Sequence, residues 1–87
     1  MNKYLVEFLG TAFFLYVILA SGNAFVIATA LVIAIMVGGK VSGGNYNPAV
    51  SIMMAAKGTL SKSDVLPYIV AQILGGLVAL QLHKIKM

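Results

Sequence analysis

An all-α membrane fold, with three spanning helices and one shorter re-entrant half-helix, is what this sequence predicts, and three observations predict it. The 87 residues are 61% hydrophobic and 9% charged, with a mean hydropathy of +1.01, where soluble domains carry about 25% charged residues. Two long runs hold no charge at all: the 32 residues from Phe8 to Gly39, and Val65 to Leu82. Between them, Ser42 to Ser51 reads SGGNYNPAVS, a glycine-punctuated stretch that opens into a short apolar helix. Lipid offers no partner to free N–H and C=O groups, so irregular backbone at membrane depth is tolerated only where protein buries it or a wet cavity receives it.

The first charge-free run exceeds one span of about 20 residues and divides at Ser21, Gly22 and Asn23. Spans are therefore expected over 4–20 and 23–39, at the short end of the usual range. A signal peptide is the rival reading of the N-terminus, since Lys3 precedes an apolar stretch. Against it stand the length of the run, Glu7 near its start, and a second span where a cleavage site and soluble domain would follow. Between Lys40 and Lys57 lie 16 uncharged residues, too few to cross and return as two helices. They fit a re-entrant loop and half-helix over 41–57. The piece from Asn47 to Ala56 is about 15 Å long at 1.5 Å per residue, half of a hydrocarbon core of about 30 Å.

Pro48 suits the first helical position, where its missing N–H has no partner to lose, and Asn47 suits the N-cap. Gly58 marks the stop. Ser61 to Asp64 is a polar connection in which Ser63 or Asp64 caps the third span, 65–82, with Pro67 in its first turn. Ala71, Gly75 and Ala79 then recur every four residues with Gly76 beside them, a face that lets helices approach closely in lipid. Residues 1–87 thus read as a single repeat, with no soluble domain or linker.

Net charge is +4, from six lysines and two acids. In a membrane chain this reports topology and lipid contact and not nucleic acid. With the N-terminus inside, Lys3, Lys40, Lys57 and Lys62 are cytoplasmic and Lys84 and Lys86 external, a weak asymmetry in the expected direction. There is no cysteine, hence no disulfide. No carboxylate pair, Cys/His cluster or nucleophile with a base is present, so enzymatic activity, a metal site and a cofactor are not expected. Tyr4, Tyr16, Tyr46 and Tyr68 read as interface or packing residues. His83, beside Lys84, reads as a solvated helix end.

The chemistry concentrates at the loop. A half-helix ending at mid-membrane aims its free N–H groups and about +0.5 of partial charge at whatever lies beyond, which disfavours cations. A capping Asn47 spends its side-chain oxygen on the helix and keeps its NH2 group for a substrate oxygen. Gly43 and Gly44 allow a backbone whose carbonyls face a cavity. Donor and acceptor row together suit a small neutral molecule. Glu7 either snorkels to the interface or braces the loop, and an ionisable group within a span usually has a partner. Gln72 is either an interhelical hydrogen bond or a neighbour of that loop.

These residues carry a resemblance. SGGNYNPAVS resembles the first signature loop of the aquaporin and aquaglyceroporin family, the major intrinsic proteins. EFLGT at Glu7 to Thr11 looks like the family's first helix, and YIVAQILGG at Tyr68 to Gly76 looks like its third. The three motifs, in order and at the right spacing, cover nearly the whole chain. The resemblance implies an aquaporin-like half-repeat, one of two inverted repeats whose half-helices meet at the midplane. Asn47 would then be the pore donor, Pro48 and Ala49 the contact with the opposing half-helix, and the carbonyls of Gly43, Gly44, Asn45 and Tyr46 the acceptor ladder. Glu7 would brace the loop beside Gln72. The family's members usually form tetramers with a pore in each subunit.

The sequence departs from the family pattern in three places. Val50 follows Pro48 by two, and the filter arginine of second halves is absent. Asn45 stands for the usual histidine. Ile27, 20 residues before Asn47, falls where many members place a filter aromatic, so a narrow water-only constriction is not supported. The expected protein is a multi-pass integral protein of the cytoplasmic or plasma membrane. Its expected role is passive transport of water or small neutral solutes such as glycerol, as half of a two-repeat pore. Its expected partners are the bilayer, the solute, a second half (itself in antiparallel orientation, or a separate C-terminal half) and further copies in a homo-oligomer. The rival is a small holin-like or structural membrane protein assembling through its glycine faces, or an inactive channel fragment.

Overall fold

The computed structural model describes residues 2–86. It contains four helices: α1 (Lys3–Ser21), α2 (Ala24–Ser42), α3 (Pro48–Lys57) and α4 (Lys62–Lys86). No strand occurs among the described residues. α1, α2 and the Lys62–Ile85 part of α4 are long and apolar enough to cross a membrane. α3 has 10 residues and is not. The chain extends 41 × 23 × 23 Å, its long axis exceeding a hydrocarbon core of about 30 Å.

The caps explain where the helices begin and end. The Asn2 side chain accepts from the Tyr4 and Leu5 N–H groups, and that of Asn23 from Phe25 and Val26. Gly22, at φ 73°, ends α1 in the left-handed region, so the whole α1–α2 turn is Gly22 and Asn23. Three boundaries differ from the sequence reading, one of them the end of α4, which runs to Lys86, four residues past Leu82. α2 runs three residues past Gly39, because Gly43, at φ 90°, is the residue that closes it, with its N–H on the Gly39 carbonyl at 2.8 Å. α4 starts at Lys62: Ser61 is its cap, accepting from the Ser63 N–H at 3.3 Å through its hydroxyl and from the Asp64 N–H at 2.9 Å through its carbonyl. Asp64 falls in the first turn, where the helix dipole favours an acid. Pro67 accordingly lies in the second turn, inside the helix.

α1 is the centre. It packs on α2 and on α4, and α3 packs on α4. Where α1 meets α4 the seam is built of small residues: Ala71 and Ala79 are buried, and a Cβ on Gly75 would lie 2.7 Å from the Phe8 carbonyl oxygen and 3.1 Å from the Ala12 nitrogen. Without a hydrophobic drive between helices in lipid, such close backbone approach is what packing requires. The Gly75 face is therefore consumed within the chain, which removes the feature on which assembly through that face rested. At one end of the seam, Lys3 Nζ and the Tyr4 hydroxyl each donate to Asp64 at 2.7 Å, and the Tyr4 and Tyr68 rings meet edge to face at 5.9 Å. At the other end His83 is half-buried, with its ring 6.3 Å from that of Tyr16. It is a packed residue and not the solvated end expected of it.

Candidate functional site

The five residues between α2 and α3 turn sharply. Gly43, Gly44 and Tyr46 have φ of 90°, 65° and 53°, and Tyr46 is the only residue besides glycine with positive φ among the described residues. Such a conformation costs a non-glycine residue about 1–3 kcal/mol unless its surroundings enforce it. Here they do. The Tyr46 ring is 3% exposed, wedged against Gly10 of α1 and Gly38 of α2, and its hydroxyl donates to the Ala34 carbonyl at 2.6 Å. A side chain at either glycine would occupy the space of the ring.

The same turn points successive N–H groups at Glu7. This side chain does not snorkel: it is fully buried in the second turn of α1. Its Oε1 accepts from the Tyr46 N–H at 2.8 Å and Gln72 Nε2 at 2.9 Å, and its Oε2 accepts from the Ser42 hydroxyl at 2.6 Å and the Asn45 N–H at 3.1 Å. One carboxyl group thus joins α1, the end of α2, the loop and α4. Ser51 makes a second node. Its buried hydroxyl receives Gln72 Nε2 at 2.7 Å and Asn45 Nδ2 at 3.2 Å, which fixes α3 to both. The Tyr68 hydroxyl adds a bond to the Ser42 carbonyl at 2.6 Å.

With the N–H groups turned inward, the carbonyls of Gly43, Gly44, Asn45 and Tyr46 have no hydrogen-bond donor among the described residues. Asn47 follows in extended backbone and caps α3, its Oδ1 accepting from the Ala49 N–H at 2.8 Å. Its side chain is exposed and its Nδ2 has no partner among the described residues. Asn47 and Pro48 open on a cavity of about 330 Å³ that is also lined by Thr11 and Leu15 of α1 and by Gln72 and Gly76 of α4. These four lie near the middle of their helices, so the α3 N-terminus sits at mid-span. Two buried atoms of this wall, Thr11 Oγ1 and Gln72 Oε1, lack a partner among the described residues.

The structure therefore brings Glu7, Gly43, Gly44, Asn45, Tyr46, Asn47, Pro48 and Gln72 together, with Ala49 exposed one residue into α3. Ile27 stands apart. It is half-buried in the first turn of α2, and α2 packs along α1 and, among the described residues, meets α4 at its other end, where the Ser42 carbonyl receives the Tyr68 hydroxyl. The Tyr46 side chain is part of the packing, so only its backbone remains for an acceptor row. Sequence reasoning missed Thr11, Ser42, Ser51 and Tyr68. For three of them a signal existed: Thr11 follows Glu7 by four, Ser51 follows Asn47 by four and Tyr68 precedes Gln72 by four, the spacing that shares a helix face.

Comparison with known proteins places the chain in a family. The family described as Major intrinsic protein matches over residues 1–87. The chain is similar to "Glycerol uptake facilitator protein-like 6" of Lactiplantibacillus plantarum, with 40% identity over 91% of this chain and 41% of that protein. It is 34% identical to "Aquaporin-8" of Notomys alexis, over 92% of this chain and 35% of that one. To "Aquaporin Z" of Brucella melitensis it is 49% identical over 59% of this chain and 22% of that protein. The chain thus spans less than half the length of the curated relatives it matches. No solved structure matches it. A family match that runs over every residue, and a relative 40% identical along most of the chain, identify it as a member of the major intrinsic protein family.

Proposed function

We propose that this chain is one half of a membrane channel for passive transport of water and small neutral solutes such as glycerol, closed by a second half. One observation carries the reading: Asn47 caps a half-helix at mid-span with its oxygen and leaves its Nδ2 free, beside a row of unpartnered carbonyls. Donors and acceptors at that place replace the hydrogen bonds a neutral permeant leaves behind in water, while the positive end of α3 opposes cations. The names of the relatives, a glycerol facilitator and aquaporins, point to the same class of solute. The second half is another copy in antiparallel orientation or a C-terminal half, joined to this sequence in a longer protein or separate from it, and the assembled channel is a homo-oligomer in a plasma or cytoplasmic membrane. Lys3, Lys40, Lys57 and Lys62 face the cytoplasm in the favoured orientation.

The test is osmotic shrinkage of liposomes carrying the purified chain, followed by stopped flow. If paired copies conduct, shrinkage is faster than in empty vesicles for water and for glycerol. Asn47→Ala lowers both rates and loosens α3 by a capping loss of about 0.5–2 kcal/mol. Asn47→Asp keeps the cap but sets a negative charge at the pore and admits cations, read as dissipation of a potassium gradient. Wild-type rates equal to those of empty vesicles at high protein density overturn conduction by copies of this chain alone and leave the C-terminal half. An Asp variant with normal flux and no cation leak overturns the placement of Asn47 in the pore.

A further inference from the structure

The cavity of about 330 Å³ beside Asn47 and Pro48 continues past the tip of α3. On α4 its lining starts at Gln72, which meets α3 through Ser51, and moves on to Leu77. On α1 it starts at Thr11, one turn past Glu7, and reaches Leu15. α3 itself, with 10 residues, covers about 15 Å of a hydrocarbon core of about 30 Å. The cavity thus lies in the half of the span that α3 does not reach.

Beyond the tip the lining is largely apolar, with Phe14 and Leu15 on one helix and Ile73 and Leu77 on the other. Two polar atoms interrupt it: Thr11 Oγ1 and Gln72 Oε1, on residues 1% exposed, have no partner among the described residues. Gln72 Oε1 only accepts, and the Nε2 of the same amide is taken by Glu7 and Ser51. Buried acceptors need donors, and lipid tails have none. A fitting occupant is apolar in bulk and brings donors held at mid-membrane. The N-terminal tip of a helix does both, since its first N–H groups have no carbonyl of their own helix. This chain carries such a tip: the Ala49 N–H is taken by Asn47 Oδ1, whereas the Val50 N–H has no acceptor among the described residues. Tip and cavity sit side by side at mid-span, so a two-fold axis in the membrane plane sets the tip of each copy against the cavity of the other, an isologous contact.

We propose that this cavity seats the α3 tip of a second, antiparallel copy, with Thr11 Oγ1 and Gln72 Oε1 accepting from the free N–H groups of that tip. The seat rests on the reading that a second half closes the channel, but not on conduction. The chain has no cysteine, so disulfide trapping between differently tagged populations of the full chain in liposomes tests it. Ala49→Cys marks the tip, Leu77→Cys the cavity, and Val32→Cys, exposed near the middle of α2, serves as the comparison. A membrane-permeant oxidant should join Ala49→Cys chains to Leu77→Cys chains, and the joining should be largely lost with Val32→Cys chains. Thr11→Val removes an acceptor that no other group of the chain uses, so the unfolding midpoint of the single chain in detergent should hold. Trapping should nevertheless fall about threefold to tenfold, the worth of one hydrogen bond between helices, and Thr11→Ser should restore it. Trapping at Leu77→Cys no better than at Val32→Cys overturns the proposal, as does a Thr11→Val chain that pairs as well as wild type. A Leu77→Cys thiol that reacts with a water-soluble maleimide as fast as one at Thr59→Cys, in the exposed α3–α4 turn, assigns the cavity to water and overturns it too. Trapped pairs without solute flux sink the channel reading and leave the seat, and flux without trapping does the reverse.

Discussion

Replacing Glu7 with alanine is expected to have the largest effect of any single substitution, because it strands four donors at once. The Ser42 hydroxyl, the Asn45 and Tyr46 N–H groups and Gln72 Nε2 all end on this carboxyl, within a site where Glu7, Ser42, Tyr46 and Gln72 are buried. A buried donor left unpaired costs about 1–3 kcal/mol, so the loss is about 4 kcal/mol or more, less what water and the Gly38 carbonyl, 3.4 Å from the Ser42 hydroxyl, recover. That is enough to free the loop, since Tyr46 holds a left-handed conformation only while its surroundings enforce it. Hydrogen exchange at the Asn45 and Tyr46 amides should rise by orders of magnitude, and solute flux should vanish with the half-helix. Glu7→Gln keeps one acceptor and turns an NH2 group toward the donors, so it should fall between wild type and alanine. Unchanged exchange in Glu7→Ala would mean that the loop holds its shape without the carboxyl.

The second large effect is expected at Gly10 and Gly38, and it distinguishes two parts of one aromatic side chain. Helical Gly→Ala normally stabilises by about 0.5–1 kcal/mol. Here the sign should reverse. At Gly38 a Cβ would overlap the Tyr46 hydroxyl and lie 2.7 Å from Val6 Cγ1, while at Gly10 it would overlap the flank of the ring. The ring cannot retreat, being buried and tied to the Ala34 carbonyl, so each change should cost about 1–3 kcal/mol as overpacking. Tyr46→Phe removes the hydroxyl alone. It should rescue part of the Gly38→Ala loss, the next ring atom lying 3.4 Å away, and none of the Gly10→Ala loss. Unfolding midpoints in detergent for the three single variants and the two double variants decide this, and equal rescue at both sites would show that the ring moves as a whole.

Much of this was legible in the sequence, and what was not has a common cause. The charge-free runs place the spans, and Asn-Pro at the head of the ten uncharged residues from Asn47 to Ala56 places the half-helix, because capping and helix length are local properties. Glu7 could be recognised as needing a partner from its position in an apolar helix. Which partners it has could not, since Ser42, Tyr46 and Gln72 reach it only through the approach of α2 and α4 to α1. Tyr46 shows the same limit: a tyrosine in a glycine-rich loop gives no hint that its ring fills a gap between two glycines 28 residues apart. The charge-free run ends at Gly39, before Lys40, and so sets the end of the span three residues early, whereas Gly38 serves the close approach of the ring and the helix closes at Gly43. Ile27 follows from the resemblance alone, and no contact among the described residues ties it to the α3 terminus.

The Glu7 network also sets a timetable for biogenesis. The partners of this carboxyl are residues 42, 45, 46 and 72, so α1 is complete long before the last of them has been polymerised. A nascent α1 reaching lipid alone would bring an uncompensated acid into hydrocarbon, which insertion penalises by a few kcal/mol. The same helix also lacks Asp64 for its Lys3 and the Gly75 seam for its backbone until α4 follows. Final integration of α1 is thereby coupled to synthesis of α4, and the three spans described here settle in the membrane as one cooperative unit instead of three successive ones.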